Sequence, residues 1–407
     1  MSNLGDAPIE VLFLILNNID QQNHLYECTL INKSFYAAAN PLLWRAPQMA
    51  GGTKREDTIL FRLKQSFRLP HQHCLHSTPL GHNVRKLDAS KICRLQDLRV
   101  VINNVPLVEE LVIGIEKLKD KDMERIAIKC PQLKCLCFIS PLDGSDRFFD
   151  PLRHCTNLRE LSIYHSLGSH LQLAPLQHCP LKKLRLYSYG FDNEYAKDTF
   201  FVDIPTLTHL DMDYMPQTYY RHFQALPSRP HFPVLTDLRI RNCRFHDNST
   251  MVSFFKSHPL ISTLSLKDMQ INQAVMTSLA TDLIHLKYLC LIDNRRLPAL
   301  TNPFHRVEKL NIRGCHINAQ HMAMYFSNLR YIHVAKGIST RRFNDDISQL
   351  DGSTVETITK LTYLDFTSYD SVPDDLKVYL PRRTGGQLVK EDLDHIRETA
   401  LGLVWIY

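Results

Sequence analysis

The stretch Cys155–Ile163, read C-T-N-L-R-E-L-S-I, decides the fold. Leu158, Leu161 and Ile163 are apolar, and Arg159, Glu160 and Ser162 between them are polar. The pattern L-x-x-L-x-L joins an approach residue to a short strand with period-two alternation. One such stretch carries little weight. It recurs from residue 84 to residue 366, and the recurrence is the signal.

The first apolar residues of the copies are Val84, Val108, Leu133, Leu158, Leu181, Leu207, Leu235, Ile261, Leu286, Val307, Leu329 and Leu361. Each has an apolar partner three residues on, from Leu87 and Leu111 through to Ile332 and Leu364. The copies recur about every 25 residues, the range of leucine-rich repeats. A strand with three aliphatic side chains cannot bury its face alone, but stacked on neighbours it joins a continuous core. The segments between copies often hold an amphipathic run of helix length, such as Asp122–Lys129 and Ile271–Leu283. The expectation is an α/β chain whose residues 84–370 form a curved solenoid, with parallel strands on the concave face and helices outside. The series resembles leucine-rich repeats of the long helical kind. The polar segment 341–355 fills the widest gap and is expected to loop out.

Composition agrees with a soluble, folded chain: 44% hydrophobic, 22% charged and a net charge of +6. Lys and Arg are spread along the chain, so no nucleic acid is expected as partner. No apolar run reaches the ~18 residues of a membrane span. Val11–Leu16 is too short for a signal-peptide core and lacks a basic leader. Cytoplasm or nucleus is the expected location, with no membrane partner. In that compartment the 11 cysteines are expected as free thiols rather than disulfides. Cys130, Cys155 and Cys179 sit two or three residues before a repeat strand, in one structural slot, as small buried hydrophobes.

Residues 3–48 do not fit the repeat and read as a compact helical unit. A helix starts at Ala7-Pro8-Ile9-Glu10, a second near Asn23, and a third after Asn32 that Asn40-Pro41 is expected to stop. P-I-E-V-L-F-L-I-L-N-N-I-D, then H-L-Y-E-C, I-N-K-S-F-Y and P-L-L-W-R, resembles an F-box. Ala7, His24 and Phe35 depart from the residues usual there. An F-box followed by leucine-rich repeats is the architecture of the F-box/leucine-rich-repeat family. The resemblance implies the substrate-recognition subunit of a Skp–cullin–F-box ubiquitin ligase. Pro8, Ile9, Leu12, Ile15, Leu25 and Leu43 would dock the Skp-family adaptor, and through it a cullin. Which of these face the adaptor and which form the unit's own core stays open. Glu10 suits the helix dipole at its start. The alternative is a non-ligase interaction scaffold whose helical unit caps the first repeat; a small-molecule-dependent receptor is a weaker third reading.

Residues 49–83 connect the two parts, with a helix expected over Asp57–Phe67. The run His71, His73, Cys74, His76 lacks a second ligand cluster of zinc-site form, so an irregular loop is expected and no metal. Two aromatic stretches, Tyr187–Asp203 and Met215–His231, are expected as loops at the solenoid rim. Residues 371–407 leave the repeat and are expected to cap its end or fold back across it. No G-x-S-x-G, P-loop or H-E-x-x-H motif occurs. The chain is therefore expected to bind rather than catalyse, with no cofactor. Strand alternation puts a second set of residues on the concave face. Among them Arg185, Tyr187, Arg239, Arg241, Lys267, Arg313, Tyr331 and His333 form a broken basic and aromatic stripe suited to an acidic or phosphorylated target segment. Asp211, Asp213 and Asp237 interrupt it.

Overall fold

The computed structural model describes residues 7–48, 54–67, 79–164 except 117 and 143, 173–187, 203–214, 232–243, 248–294, 297–312, 315, 324–333 and 363–365. The histidine run, the interiors of both aromatic stretches, Arg313, the polar segment 341–355 and residues 371–407 lie outside these. The chain divides into two compact units, Met1–His285 and Leu286–Tyr407.

The first unit begins with three helices, α1 (Ile9–Leu16), α2 (Gln22–Thr29) and α3 (Lys33–Leu43). Pro8 precedes α1, where its missing N–H forfeits nothing. Its carbonyl accepts the Val11 and Leu12 N–H groups at 3.0 and 3.1 Å. Asn32 caps α3, its side-chain oxygen accepting the Phe35 N–H at 2.9 Å. Contrary to expectation, α3 does not stop at Asn40-Pro41 but runs on to Leu43. Pro41 sits in the last turn, and beyond it the Trp44 N–H still reaches the Asn40 carbonyl at 3.1 Å. The helices close over Leu12, Leu16, Leu25, Phe35, Ala38, Ala39 and Leu42.

The repeats follow as parallel strands β1 (Lys86–Ala89), β2 (Glu110–Ile113), β3 (Cys135–Phe138), β4 (Glu160–Ile163), β5 (Lys183–Tyr187), β6 (His209–Asp213), β7 (Asp237–Arg241) and β8 (Thr263–Lys267). Each pairs with the next in the register of the sequence repeat. Leu87, Leu111, Leu136, Leu161, Leu184, Leu210, Leu238 and Leu264 form one row, each at most 1% exposed. A slip of one residue would turn that row to the opposite face, so burial pins the register. Truncation of Leu161→Ala should cost about 2–5 kcal/mol; an unchanged denaturation midpoint would show that this row is not the core.

A backbone ladder precedes the strands. The Arg85 carbonyl accepts the Glu109 and Glu110 N–H groups, and the Glu109 carbonyl accepts those of Lys134 and Cys135. The same double acceptance continues through Lys134, Arg159, Lys182, Thr208 and Thr236. The column starts inside the helical unit: the Arg45 carbonyl accepts the Arg85 and Lys86 N–H groups at 2.8 and 3.0 Å. Arg45 thus stands where a preceding repeat would, and blunts the start of an otherwise open sheet edge.

Helix α4 (Lys54–Ser66) starts three residues before the predicted helix and ends one residue short of Phe67. The connections carry α5 (Leu95–Ile102), α6 (Asp120–Lys129), α7 (Asn248–Ser257) and α8 (Gln273–Thr281). The β3–β4 and β4–β5 connections instead make 3-10 turns, Asp150–His154 and Ala174–His178, with Pro151 and Pro175 at their starts. Their steeper rise spans the gap with fewer residues.

Arg99 on α5 holds Asp122 on α6 with two hydrogen bonds, 2.7 and 3.2 Å, and the Lys119 N–H adds a third at 3.3 Å. Burial pushes the Asp122 carboxyl up, but the Arg99 and Lys119 bonds outweigh it and hold the group below its usual range. A folded value below the unfolded one means that this stabilisation is complete above about pH 4–5 and is lost as pH falls through the folded value. Asp122→Asn should cost about 1–3 kcal/mol at neutral pH. It should also lessen the loss of stability on strong acidification, read from denaturant midpoints at pH 7 and about pH 2.

The carbonyl of the slot residue takes the N–H of the first apolar residue three places on, as in Cys130 to Leu133 and Cys155 to Leu158. Cys130, Cys155 and Cys179 are all buried. Burial pushes the Cys155 thiol to about 11 and the other two to about 12, which suits inert packing groups. Val105, Ile204, Phe232 and His258 fill the slot in other repeats.

In the second unit β9 (Tyr288–Ile292), β10 (Lys309–Asn311), β11 (Tyr331–His333) and β12 (Tyr363–Asp365) pair consecutively and in parallel. Leu289, Leu310, Ile332 and Leu364 are register partners, continuing the sequence pattern. The fold class is thus α/β with leucine-rich-repeat stacking, preceded by a small helical unit.

Candidate functional site

Two surfaces of the first unit stand out. The first lies on the helical unit. Helix α1 reads I-E-V-L-F-L-I-L, yet within it only Leu12 and Leu16 are buried. Leu14 projects from the opposite side of the helix at 68% exposure. Val11 and Ile15 flank it, and Leu30 and Ile31, at the end of α2, are 68% and 59% exposed. A helix that is apolar all round needs cover on both sides, and a unit of three short helices covers one.

The six residues singled out by the F-box resemblance are divided by this packing. Pro8, Ile9 and Ile15 are at the surface. Leu12 and Leu25 belong to the helical core, and Leu43 is partly buried against it. Leu14, Leu30 and Ile31 were missed by the sequence reading. The signal that could have found Leu14 is the apolar run Val11–Leu16 of α1 in so small a unit.

The second surface is the face of the sheet opposite the leucine row. Over β4–β8 the register arranges it in three rows. The first is Glu160, Lys183, His209, Asp237 and Thr263. Its side chains meet across strands, Glu160 and Lys183 as an ion pair at 3.6 Å and the His209 ring 3.5 Å from the Asp237 carboxylate. The second row is Ser162, Arg185, Asp211, Arg239 and Ser265. The third, beginning at β5, is Tyr187, Asp213, Arg241 and Lys267.

A polar cluster ties the last two rows together. One terminal guanidinium nitrogen of Arg241 donates to both oxygens of Asp211 at 3.1 Å and to the Tyr187 hydroxyl at 2.9 Å. The Tyr187 hydroxyl donates in turn to Asp211 Oδ2 at 2.8 Å. Arg241 Nε lies 3.7 Å from Asp213 Oδ2, and the Asn242 amide donates to Asp213 Oδ1 at 2.8 Å. The guanidinium carbon stands 5.2 Å from the Tyr187 ring centre. Tyr164 stacks on the same ring, centroids 4.5 Å apart and planes within 5°. Burial, with Asp211 beside it, pushes the Tyr187 hydroxyl well above its ordinary range, so it stays protonated. Burial also raises the Asp213 carboxyl, against the pull of Asn242 and Arg241, with Asp211 adding to the rise.

This geometry corrects the sequence-based stripe. Arg241 and Tyr187 are parts of a structural cluster, the Arg241 side chain only 17% exposed. Asp211 and Asp213, read as interruptions of the stripe, are the partners of Arg241. Arg185, Arg239 and Lys267 are half-buried on the same face. Arg313 lies outside the described residues. Tyr331 and His333 lie on β11, in the second unit, and their side chains lie outside the described set. The register offered a signal for the cluster: Asp213 stands directly opposite Arg241.

Just beyond the strands, Tyr214, Asn242, Asp268 and, in the second unit, Asp293 adopt positive φ between 50° and 55°. Asn and Asp enter this left-handed region readily, whereas tyrosine is strained there. Tyr214 is held in place partly by its N–H bond to the Arg241 carbonyl at 3.1 Å.

No protein-family model matches this sequence, and no curated protein matches it. Among solved structures, an internalin from Listeria monocytogenes is similar with a TM-score of 0.37 and 14% identity, over 76% of this chain and 95% of that one. The fold assignment rests on the strand register and the buried leucine row described above. Among the described residues no helix is long and apolar enough to cross a membrane.

Proposed function

We propose that this chain is the substrate-recognition subunit of a Skp–cullin–F-box ubiquitin ligase of the cytosol or nucleus. The observation that carries the reading is the apolar outer surface of α1 and the end of α2, on the segment whose sequence resembles an F-box. Exposed patches of this kind mark contact sites for other proteins. Leu14, Ile15, Leu30 and Ile31 are the side chains available to a Skp adaptor; Leu12 and Leu25 support them from below. The Arg45 carbonyl, which starts the backbone ladder, makes the same unit the cap of the repeats. Capping and docking therefore use different groups of one unit and do not compete.

In this reading the repeats hold a target protein while the adaptor and cullin bring the ubiquitin-charged enzyme. The chain contributes no bond-making group. It raises the effective concentration of target lysines at the enzyme. The test is co-purification of a Skp adaptor with the whole chain. Stable capture supports the reading. A well-folded chain that captures no adaptor overturns it and leaves an interaction scaffold with a helical cap.

A further inference from the structure

We propose that the carboxyl-terminal half of the β5–β8 face binds an extended acidic segment of the target, with two anionic side chains four residues apart. This rests on the reading of the repeats as a target-binding array.

In the first row of this face Glu160 pairs with Lys183, and Asp237 lies 3.5 Å from the His209 ring. In the other two rows the acidic groups are drawn inward. The side chains of Asp211 and Asp213 are 9% and 8% exposed, and both are engaged by Arg241. The charge left toward the surface is positive. Arg185 and Lys267 are half-buried, and among the described residues neither makes an ion pair with a carboxylate. Between them lies a rigid floor: the Tyr164–Tyr187 stack beside Arg185 and the Arg241 cluster beside Lys267.

The spacing selects the ligand. Arg185 on β5 and Lys267 on β8 are three strands apart and offset by two residues along the strand, about 16 Å at the usual strand separation and rise, and the length of the two side chains lets their charged ends come closer than that. An extended peptide advances about 3.3 Å per residue, so residues i and i+4 project on one side about 13 Å apart. A peptide lying across the strands thus places one anion on each cation, with its backbone over the tyrosine stack. The shared chemistry is a carboxylate or a phosphate; a guanidinium takes either in a two-pronged contact, and an ammonium takes either as a point charge.

The probe is a fluorescein-labelled Gly/Ser/Ala peptide of about ten residues, with phosphoserines at positions i and i+4, read by fluorescence anisotropy against the full chain. Glutamates in the same positions distinguish carboxylate from phosphate recognition. The phosphoserine peptide is expected to bind, more weakly as salt rises. Arg185→Glu and Lys267→Glu should each weaken it by about ten-fold or more, whereas Lys121→Glu on α6 leaves it unchanged. Absence of binding, equal binding of a lysine-bearing peptide, equal binding with the anions two residues apart, or indifference to both substitutions would overturn the proposal. Adaptor capture is measured on the same preparation. Loss of peptide binding with capture intact removes the acidic-segment site alone; capture lost with peptide binding intact removes the ligase reading alone.

Discussion

A chain carrying Leu14→Asp and Leu30→Asp is expected to lose Skp adaptor capture while unfolding at the same denaturant concentration as the parent. Both side chains are 68% exposed, so neither carries core packing, and aspartate on an exposed position disturbs the fold little. At an apolar interface the same change removes a hydrophobic contact and forces a carboxylate to lose its water. Two such central contacts are worth about 4 kcal/mol or more together, a loss of roughly a thousand-fold in affinity. Leu12→Asp makes the contrast. Leu12 is fully buried, so that variant should lose capture by unfolding the helical unit, with a lowered midpoint to show it. Capture unchanged in the Leu14, Leu30 variant would mean that the outer surface of these helices does not meet the adaptor.

Arg241→Leu is expected to cost about 3–5 kcal/mol, because breaking a buried ion cluster strands the charges that remain. Asp211 and Asp213 would keep their burial and lose their cation. The Asn242 and Tyr187 bonds satisfy part of their hydrogen-bonding capacity but none of their charge. Adding Asp211→Asn and Asp213→Asn should restore much of the loss, since neutral amides need no counter-ion. The pH response gives a second reading. The Asp213 carboxyl is already raised by burial, so its folded value lies above its unfolded one. Such a group favours folding fully below the unfolded value, and that contribution is lost as pH rises through the folded value. Removing Arg241 raises the Asp213 carboxyl further, so the Leu variant should recover stability when taken from pH 7 to pH 5. Asp122, whose folded value is lowered, keeps its contribution over this range and loses it only on further acidification. An Arg241→Leu chain with the parent's midpoint would show that the cluster does not hold these strands. It follows that Arg241→Glu would report on folding, and that charge reversals intended to probe target binding belong at Arg185 and Lys267.

The repeat was legible because its cause is local and periodic. Leucines at fixed intervals, with polar residues alternating in each strand, allow one register in which every copy buries the same side. The structure uses that register from Leu87 to Leu264 in the first unit and from Leu289 to Leu364 in the second. The cysteine slot was legible for the same reason, as a fixed distance from the first leucine. The helices of residues 7–48 were legible from Pro8 and Asn32, whose capping chemistry acts within a few residues. Misplacing the end of α3 had a local cause as well: proline in a last turn forfeits one bond rather than the helix.

The two candidate surfaces were only half legible. Strand alternation named the residues of the open face but treated each charge as solvated. Whether a charge is free or spent depends on neighbours some 25 to 55 residues away, as the bonds from Tyr187 to Asp211 and from Arg241 to Tyr187 show. The sequence alone therefore determined the α/β repeat class, the strand register and the polar rows, since each follows from spacing within a single repeat. Tertiary structure alone decided that Leu12 and Leu25 form a core while Leu14 and Leu30 face outward. It also made Arg241 a clamp for two aspartates, with Arg185 and Lys267 outside that cluster. Helix packing and cross-strand contacts bring together residues whose separation in the chain carries no signal of their meeting.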